Sequence, residues 1–578
     1  MLPLFLLLFP LSQTVLAQLS RPDPPFIPQD PEEGAKPSDG SSIPNAQWTN
    51  LLGSGLYFYE AQRSGVLPDD NRVGWRNDSV TDDGEDVGTD LSGGYFDAGD
   101  YIKATFPLSF TLMSICWGGI DFGEGYNMAN QTPYLDSTLR WGLDWLMKAH
   151  PSDNTLYVLV SDPHKDDDYW GGDQDIPTPR HSYPINESSP GTDVAAAAAA
   201  AFAACSYLYN TDRISFGSPY GEPASLRDTN YAETLLSHAE SLYTFANTAD
   251  KALYHESVPE IADSYASSGY EDELTIAALW LALATNSSER YQEAEDMYTE
   301  RHLGEQYLDR LLNWDSKGPA IPVLFAQVAS LWERDATRWK EDAERYLNRI
   351  VDGEGDTYWM TPAGLLYYEG ESDYDSINPA LNAAMLFARY APMASSDEVR
   401  DKFEEFADSQ LTYVLGRNPM SVPYVVGANP NSPSNPHSAP ASGGSSIDNI
   451  NEGETAYTLF GGVIGGPDRH DNYYDIRNDW PQTEIALDYT APLLTLAAMH
   501  VISDSSDPYY TRLAAGEYDK VRPEGTPCDP AYPCDSGNPP LPKGAQIAIG
   551  VVVSVVGVVI FGGIAWYGWL LRRSSVGK

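Results

Sequence analysis

A chain of 578 residues is long enough for one large domain or for two to four smaller ones. With 42% hydrophobic and 12% aromatic residues it can bury a sizeable core, which excludes a disordered polymer. Its 35 Lys and Arg against 83 Asp and Glu leave a net charge of −48, which repels phosphate backbones, excludes nucleic acid as a partner, and suits a neutral or cationic substrate.

In chain order, MLPLFLLLFPLSQTVLAQ opens with an apolar run and carries small residues at 15 and 17, the pattern of a signal peptide spanning 1–17 and cut before Gln18. Residues 18–42, rich in Pro, Asp, Gly and Ser, are expected to form an N-terminal linker. Residues 43–515 contain no second linker of that quality and are expected to form one body.

Within that body GGYFDAGDYIKATFP (93–107) sets Asp97 and Asp100 three residues apart among glycine and aromatics. Two such carboxylates either hold a water that one of them deprotonates or form an Asx-turn that caps a helix. The helical segments follow. PYLDSTLRWGLDWLMKAH aligns Leu135, Leu139, Leu143 and Met147 at helical spacing. DVAAAAAAAFAACSYLY is apolar on nearly all sides, as a helix enclosed by other helices is. DELTIAALWLALAT, NPALNAAMLFARYA, DEVRDKFEEFADSQLTYVL and YTAPLLTLAAMH continue the helical pattern, and alternating strand patterns are scarce. The fold class expected is all-α, with long Gly-, Pro- and Asn-rich loops gathered at one end.

Late in the body, NDWPQTEIALDYTAP places Glu484 ahead of an apolar helical run, with Trp480 and Tyr489 nearby. Such a carboxyl is either a desolvated proton donor or an acid at a helix N-terminus. An acid and a base flanking a sugar bond is the glycosidase arrangement, and Trp75, Trp170, Tyr374, Trp480 and Tyr489 are candidates to stack on pyranose faces.

Beyond the body, residues 516–545 form an expected Pro- and Gly-rich stalk. The uncharged run Ile547–Leu571, followed by Arg572 and Arg573, is read as a single transmembrane helix (546–571) with a cytoplasmic tail (572–578). The body then lies outside the cell as a type I protein, tethered to the lipid bilayer. Cys528 and Cys534 fit a short disulfide loop in an oxidising compartment, whereas Cys116 and Cys205 lie in apolar helical surroundings and read as core. Sequons at Asn77, Asn130, Asn186 and Asn286 fit glycosylation on that side.

The ordered segments FYEAQRSGVLP, NRVGWRNDS, DLSGGYFDAGDYIKATFP, DWLMKAHP, LYVLVSD, YWGG and PGTDVAAAAAAAFAA resemble glycoside hydrolase family 9, the inverting cellulases. SSGYEDELTIAALWL, LGRNPMSVPYVVG, NPHS, GGVIGGPDRHDNYYDIRND and TEIALDYTAP extend the resemblance over almost the whole body.

The resemblance implies an (α/α)6 barrel and an endo-β-1,4-glucanase acting on β-1,4-glucan. It implies Asp100 as general base, Asp97 as a partner in holding the attacking water, and Glu484 as general acid. It further implies sugar contacts from His437, Tyr489, Trp170 and the residue at Tyr374, and a structural Ca2+ held by Ser268, Gly269, Asp272, Glu273 and Asp315. An exo-acting cellobiohydrolase, a glucosaminidase and a non-catalytic carbohydrate-binding protein are the alternatives.

The chain departs from the family pattern at four places. Ala439 stands where the family has a sugar-binding arginine. Thr483 stands for the usual Asn before the acid. Tyr374 and Asn378 stand for a Trp and an Arg, and Asp167 for a His.

Overall fold

The computed structural model describes residues 19–534, apart from 32–35, 39, 41 and 211–218. The signal peptide, the stalk from 535 onward, the transmembrane run and the tail lie outside the described residues. The chain divides into a unit ending at Gly525 and a second beginning at Thr526.

Twelve helices of twelve residues or more stand among the described residues of the first unit. They are α1 (Ala46–Ala61), α2 (Thr105–Asp121), α3 (Thr132–Ala149), α4 (Thr192–Tyr209), α5 (Thr229–Thr248) and α6 (Glu271–Thr285), then α7 (Ser288–Glu300), α8 (Ala320–Leu331), α9 (Thr337–Asp352), α10 (Ile377–Tyr390), α11 (Asp397–Val414) and α12 (Leu487–Ser503). The even-numbered helices pack in a closed cycle, α2 on α4, α4 on α6, α6 on α8, α8 on α10, α10 on α12 and α12 back on α2. The odd-numbered helices pack outside this ring. This is an (α/α)6 barrel.

Composition explains which helix goes where. All eighteen residues of α4 are buried, and its alanines let α2 and α6 approach closely on both flanks. Outer helix α9 buries Trp339, Ala343, Tyr346, Leu347 and Ile350 on one stripe and turns its charges outward. Asn45 caps α1, its side chain accepting the amides of Gln47 at 2.8 Å and Trp48 at 3.3 Å. Among the described residues, strands are confined to a three-stranded antiparallel sheet (Lys103–Ala104, Thr155–Val160, Ser182–Asn186) and a small hairpin (Tyr358–Met360, Leu366–Tyr368).

Three sequence expectations change here. Cys116 and Cys205 are joined in a disulfide that links α2 to α4, because the inner-ring contact brings the two helices side by side. The described part of 18–42 is a strap on the body. Leu19 donates its amide to Asp136, Arg21 pairs with Glu60 at 3.3 Å, and Phe26 donates to the Tyr134 hydroxyl at 2.8 Å. The body also runs past 515, since Tyr518 takes the Asp475 amide at 3.2 Å and donates its own amide to Asn431 at 3.2 Å. In the second unit Cys528 and Cys534 are paired, and Asp529 accepts the amides of Ala531 and Tyr532 inside that loop.

The loops that enter the inner helices at their N-termini carry the candidate chemistry: 97–104 before α2, 265–270 before α6, 315–319 before α8, 374–376 before α10 and 484–486 before α12. The partial positive ends of these helices therefore face the acid-rich loops.

Candidate active site

Asp97 and Asp100 sit on a tight turn stitched to a chain segment nearly four hundred residues away. Gly99 donates its amide to Glu484 Oε1 at 3.4 Å, Ala439 donates to Gly99 O at 2.6 Å, and Leu487 donates to Asp97 O at 3.1 Å. A Cβ at Gly99 would stand 2.2 Å from the His437 carbonyl oxygen, so only glycine permits this approach. His437 and Glu484 lie on a parallel bridge, with the His437 amide on Thr483 O at 2.9 Å. The turn, the histidine and Glu484 thus form one floor, although they are far apart in sequence.

Burial dominates the electrostatics of this floor. It raises the Glu484 carboxyl to about 8, opposed by the Gly99 amide and reinforced by Asp97, Asp167 and Asp488. It raises Asp97 to about 8, opposed by the Tyr265 hydroxyl, which donates a short hydrogen bond to Asp97 Oδ2. Asp100 is pushed well up by burial and then by four acids, Asp166, Glu484, Asp167 and Asp97. Its Oδ1 is buried without a hydrogen-bond donor. Asp166, raised to about 6, accepts the Tyr101 amide at 2.6 Å just below it. Interacting carboxylates of this kind titrate as a group and share protons.

Of the residues expected to contact sugar, His437 has Nδ1 2.7 Å from the Arg477 carbonyl, which only accepts, so Nδ1 carries the proton and Nε2 is left as an acceptor. Burial lowers His437 to about 4 and keeps the ring neutral. Tyr489, half-buried, donates to Asp375 Oδ2 at 2.9 Å. Tyr374 is 52% exposed and its ring stacks on Trp480 at 5.7 Å. Trp170 is only 4% exposed and packs under His437 with Phe96, Tyr101 and Ala439, a wall residue rather than an open sugar platform. Trp75 stacks on Tyr457 at 5.0 Å.

The metal-candidate residues are brought together in part. Asp272 Oδ2 accepts the amides of Lys317 and Gly318 at 2.6 and 3.1 Å, and Glu273 Oε1 takes the Lys317 ammonium at 2.9 Å. Asp272 Oδ1 and Glu273 Oε2 are buried, and the Tyr307 hydroxyl hydrogen-bonds the Asp272 carboxylate. Asp315 accepts the Ser268 amide at 2.7 Å, and Gly269 O accepts the Ser267 hydroxyl at 2.8 Å. Among the described residues no three His, Cys, Asp or Glu stand in metal-holding geometry.

Three site residues escaped the sequence reading. Tyr265 holds Asp97, and its own carbonyl takes the Tyr254 hydroxyl at 2.6 Å. Asp488 is buried, accepts the Asn378 amide at 3.0 Å, and is raised to about 7 by burial. Asp375 faces Tyr489. Asp488 stands closest in sequence to Glu484, in the first turn of α12. Nothing local marks Tyr265 or Asp375.

Most of the chain, residues 48–497, matches the profile of glycosyl hydrolase family 9. The chain belongs to that family. Endoglucanase 13 of Arabidopsis thaliana is 35% identical over 485 residues, covering 79% of this chain and 94% of that one. Endoglucanase A of Bacillus pumilus is 34% identical over 450 residues, 77% of this chain and 64% of the Bacillus protein, so the chain spans less than two thirds of that relative's length. Among solved structures, the endoglucanase of the termite Nasutitermes takasagoensis superposes with a TM-score of 0.70 at 35% identity, covering 79% of this chain and 98% of the termite chain. The cellulase Cel9M of C. cellulolyticum, solved in complex with cellobiose, superposes at 0.68 with 26% identity, covering 78% of this chain and 98% of Cel9M. In this family 9 member the turn before α2 and the acid before α12 meet at the Gly99–Glu484 contact.

Proposed function

We propose that this chain is an endo-β-1,4-glucanase that cuts internal glucosidic bonds with inversion. One observation carries the reading: the Gly99–Glu484 contact brings the acid to the turn that bears Asp97 and Asp100. Glu484, held protonated by burial, gives its proton to the glycosidic oxygen. Asp100 takes a proton from a water held between it and Asp97, and that water attacks the anomeric carbon from the opposite ring face. The Tyr265 hydroxyl favours the ionised form of Asp97 and fixes one wall of the water's seat. His437 Nε2 accepts a sugar hydroxyl, and Tyr489 lines the ring position beside Asp375. The endo mode is supported by the relatives named endoglucanases. Cellohexaose digested in an NMR tube is expected to release α-anomers from internal cuts first. Initial β-anomers, or products shed only from one end, would overturn the reading.

A structural Ca2+ would be held by the carboxylate oxygens of Asp272 and Glu273 that Lys317 and Gly318 leave over, with Ser268, Gly269 and Asp315 alongside. Bound there, it would neutralise two adjacent buried carboxylates next to the loop that carries Tyr265. Chelation with EDTA is expected to lower the Tm by several degrees, with recovery on adding Ca2+ but not Na+. An unchanged Tm, with no calcium in elemental analysis of the purified protein, would remove the ion.

The run Ile547–Leu571 before Arg572 and Arg573 supports a single membrane anchor, and the four sequons support glycosylation. Detergent partitioning of the full chain, against a chain ending at 525, tests the anchor.

A further inference from the structure

A cavity lies at the other end of the barrel. Its walls come from the C-terminal halves of inner helices, with Trp117 of α2, Tyr207 of α4, Trp280 of α6 and Val328 of α8, whereas the candidate acids precede the N-termini of α2 and α12. It holds about 130 Å³. Trp117 and Trp280 are both buried and meet edge to face, their ring centroids 5.5 Å apart at 85°. The Cys116–Cys205 disulfide sits beside Trp117 and just before Tyr207, so two of the walls are pinned to each other. Ile120 and Leu331, half-buried, and Ser330, exposed, form the side of the lining that meets solvent.

The polar groups beside Trp117 already satisfy one another. Trp117 Nε1 donates to Gln327 Oε1 at 2.9 Å, and Gln327 Nε2 donates to Asp121 Oδ2 at 3.1 Å. Arg389 Nε stands 2.8 Å from the same Asp121 oxygen, so this carboxylate has its counter-charge within the protein. The Tyr220 hydroxyl donates to Arg389 O at 2.5 Å. A sugar, with a hydroxyl on most of its carbons, would leave many of its hydrogen bonds unmade here, and a charged ligand would find no free counter-charge among the described lining residues. Leu283, Leu324 and Met393 continue the apolar wall. An apolar cavity of about 150 Å³ takes up benzene, so the space here is that of a single ring. Walls of Trp and Tyr favour an aromatic ring, which they can meet by face and by edge.

We propose that this cavity is a binding site for an uncharged molecule of one aromatic ring, separate from the catalytic cleft. Its walls belong to α2, α4, α6 and α8 together, so the ligand recognises the assembled inner ring and not the unfolded chain. Binding of that kind stabilises the barrel by mass action. It does not depend on the chemistry proposed for Glu484 and Asp100.

The test uses fluorobenzene as the probe, followed by fluorine NMR on the purified full chain in detergent, with Ile120→Phe and Leu331→Phe in the same detergent. Micelles take up the probe in linear proportion, whereas the cavity saturates at one equivalent. Both substituted positions are half-buried, so the larger side chain can fill the cavity from its rim without overpacking the barrel core. The expected result is saturable binding that either variant weakens about tenfold or more, the loss of a few buried ring contacts. The parent's Tm should rise by about 2–3 °C at about a hundredfold excess of probe over Kd. Cellobiose should not displace the probe, and 4-fluorobenzoate should bind at least about tenfold more weakly, because its carboxylate would be buried unpaired. One folded variant suffices for the comparison. A purely linear response of the parent, saturable binding that a folded variant leaves unchanged, displacement by cellobiose, or equal binding of 4-fluorobenzoate would each overturn the site, whatever the outcome of the cellohexaose assay.

Discussion

Replacing Glu484 with Gln is expected to lower kcat on cellohexaose by about 10²–10⁴-fold while leaving binding in place. The fold should tolerate the change, since the amide oxygen of Gln can still accept the Gly99 N–H that Glu484 Oε1 accepts at 3.4 Å. What disappears is the proton. A cellobioside with a nitrophenolate leaving group needs no protonation, so E484Q should recover much of its rate on that substrate. Asp100→Asn removes the base and should be slow on both substrates, because activation of water is required whatever leaves. Equal losses for E484Q on both substrates would remove Glu484 from the acid role. The pH dependence follows from the same burial. Burial raises the Glu484 carboxyl to about 8, and the acid must be protonated, so the alkaline limb of kcat/KM is expected to fall as pH rises through that region. That limb belongs to the coupled group of Glu484, Asp97 and Asp100, and it should change shape in E484Q.

The barrel was legible because its inner helices have almost no polar face. A run such as DVAAAAAAAFAACSYLY cannot lie on a surface, and α4 is buried along its whole length. The acids proposed for catalysis were legible as motifs, but their partnership was not, since the Gly99–Glu484 contact spans 385 positions and leaves no local periodicity. Tyr265 fails to announce itself for the same reason: its hydroxyl reaches Asp97 across 168 positions. The strap at 19–30 was hidden by composition. Its prolines read as a linker, while its binding depends on single contacts such as the Phe26 amide on Tyr134 and the Phe26 ring against Gly53. The residues proposed to hold calcium illustrate the opposite limit. The motif was plain, yet only coordinates reveal that Lys317 already takes one oxygen of Glu273.

The pairing of Cys116 with Cys205 carries the second large expected effect. The bond closes a separation of 89 residues between two inner helices. By loop-closure entropy such a cross-link is worth about 4–5 kcal/mol, and measured values of about 2–4 kcal/mol are typical. Both sulfurs are fully buried, so alanine at both positions removes the cross-link and a little packing volume without stranding a polar group. C116A/C205A is therefore expected to unfold at a lower denaturant concentration, by about 2–4 kcal/mol. Activity should survive below the transition. The bond lies toward the C-terminal ends of α2 and α4, whereas the acids precede the N-terminus of α2. The link to catalysis is indirect. Asp193, at the start of α4, accepts the Tyr254 amide at 3.0 Å, Tyr254 donates to the Tyr265 carbonyl, and Tyr265 holds Asp97. Thermal inactivation of the variant should accordingly track its unfolding and show no earlier loss of rate. A variant as stable as the parent would mean that the inner ring alone fixes α2 against α4. A folded variant with a collapsed rate at low temperature would mean that the disulfide sets the position of Asp97 through that chain of contacts.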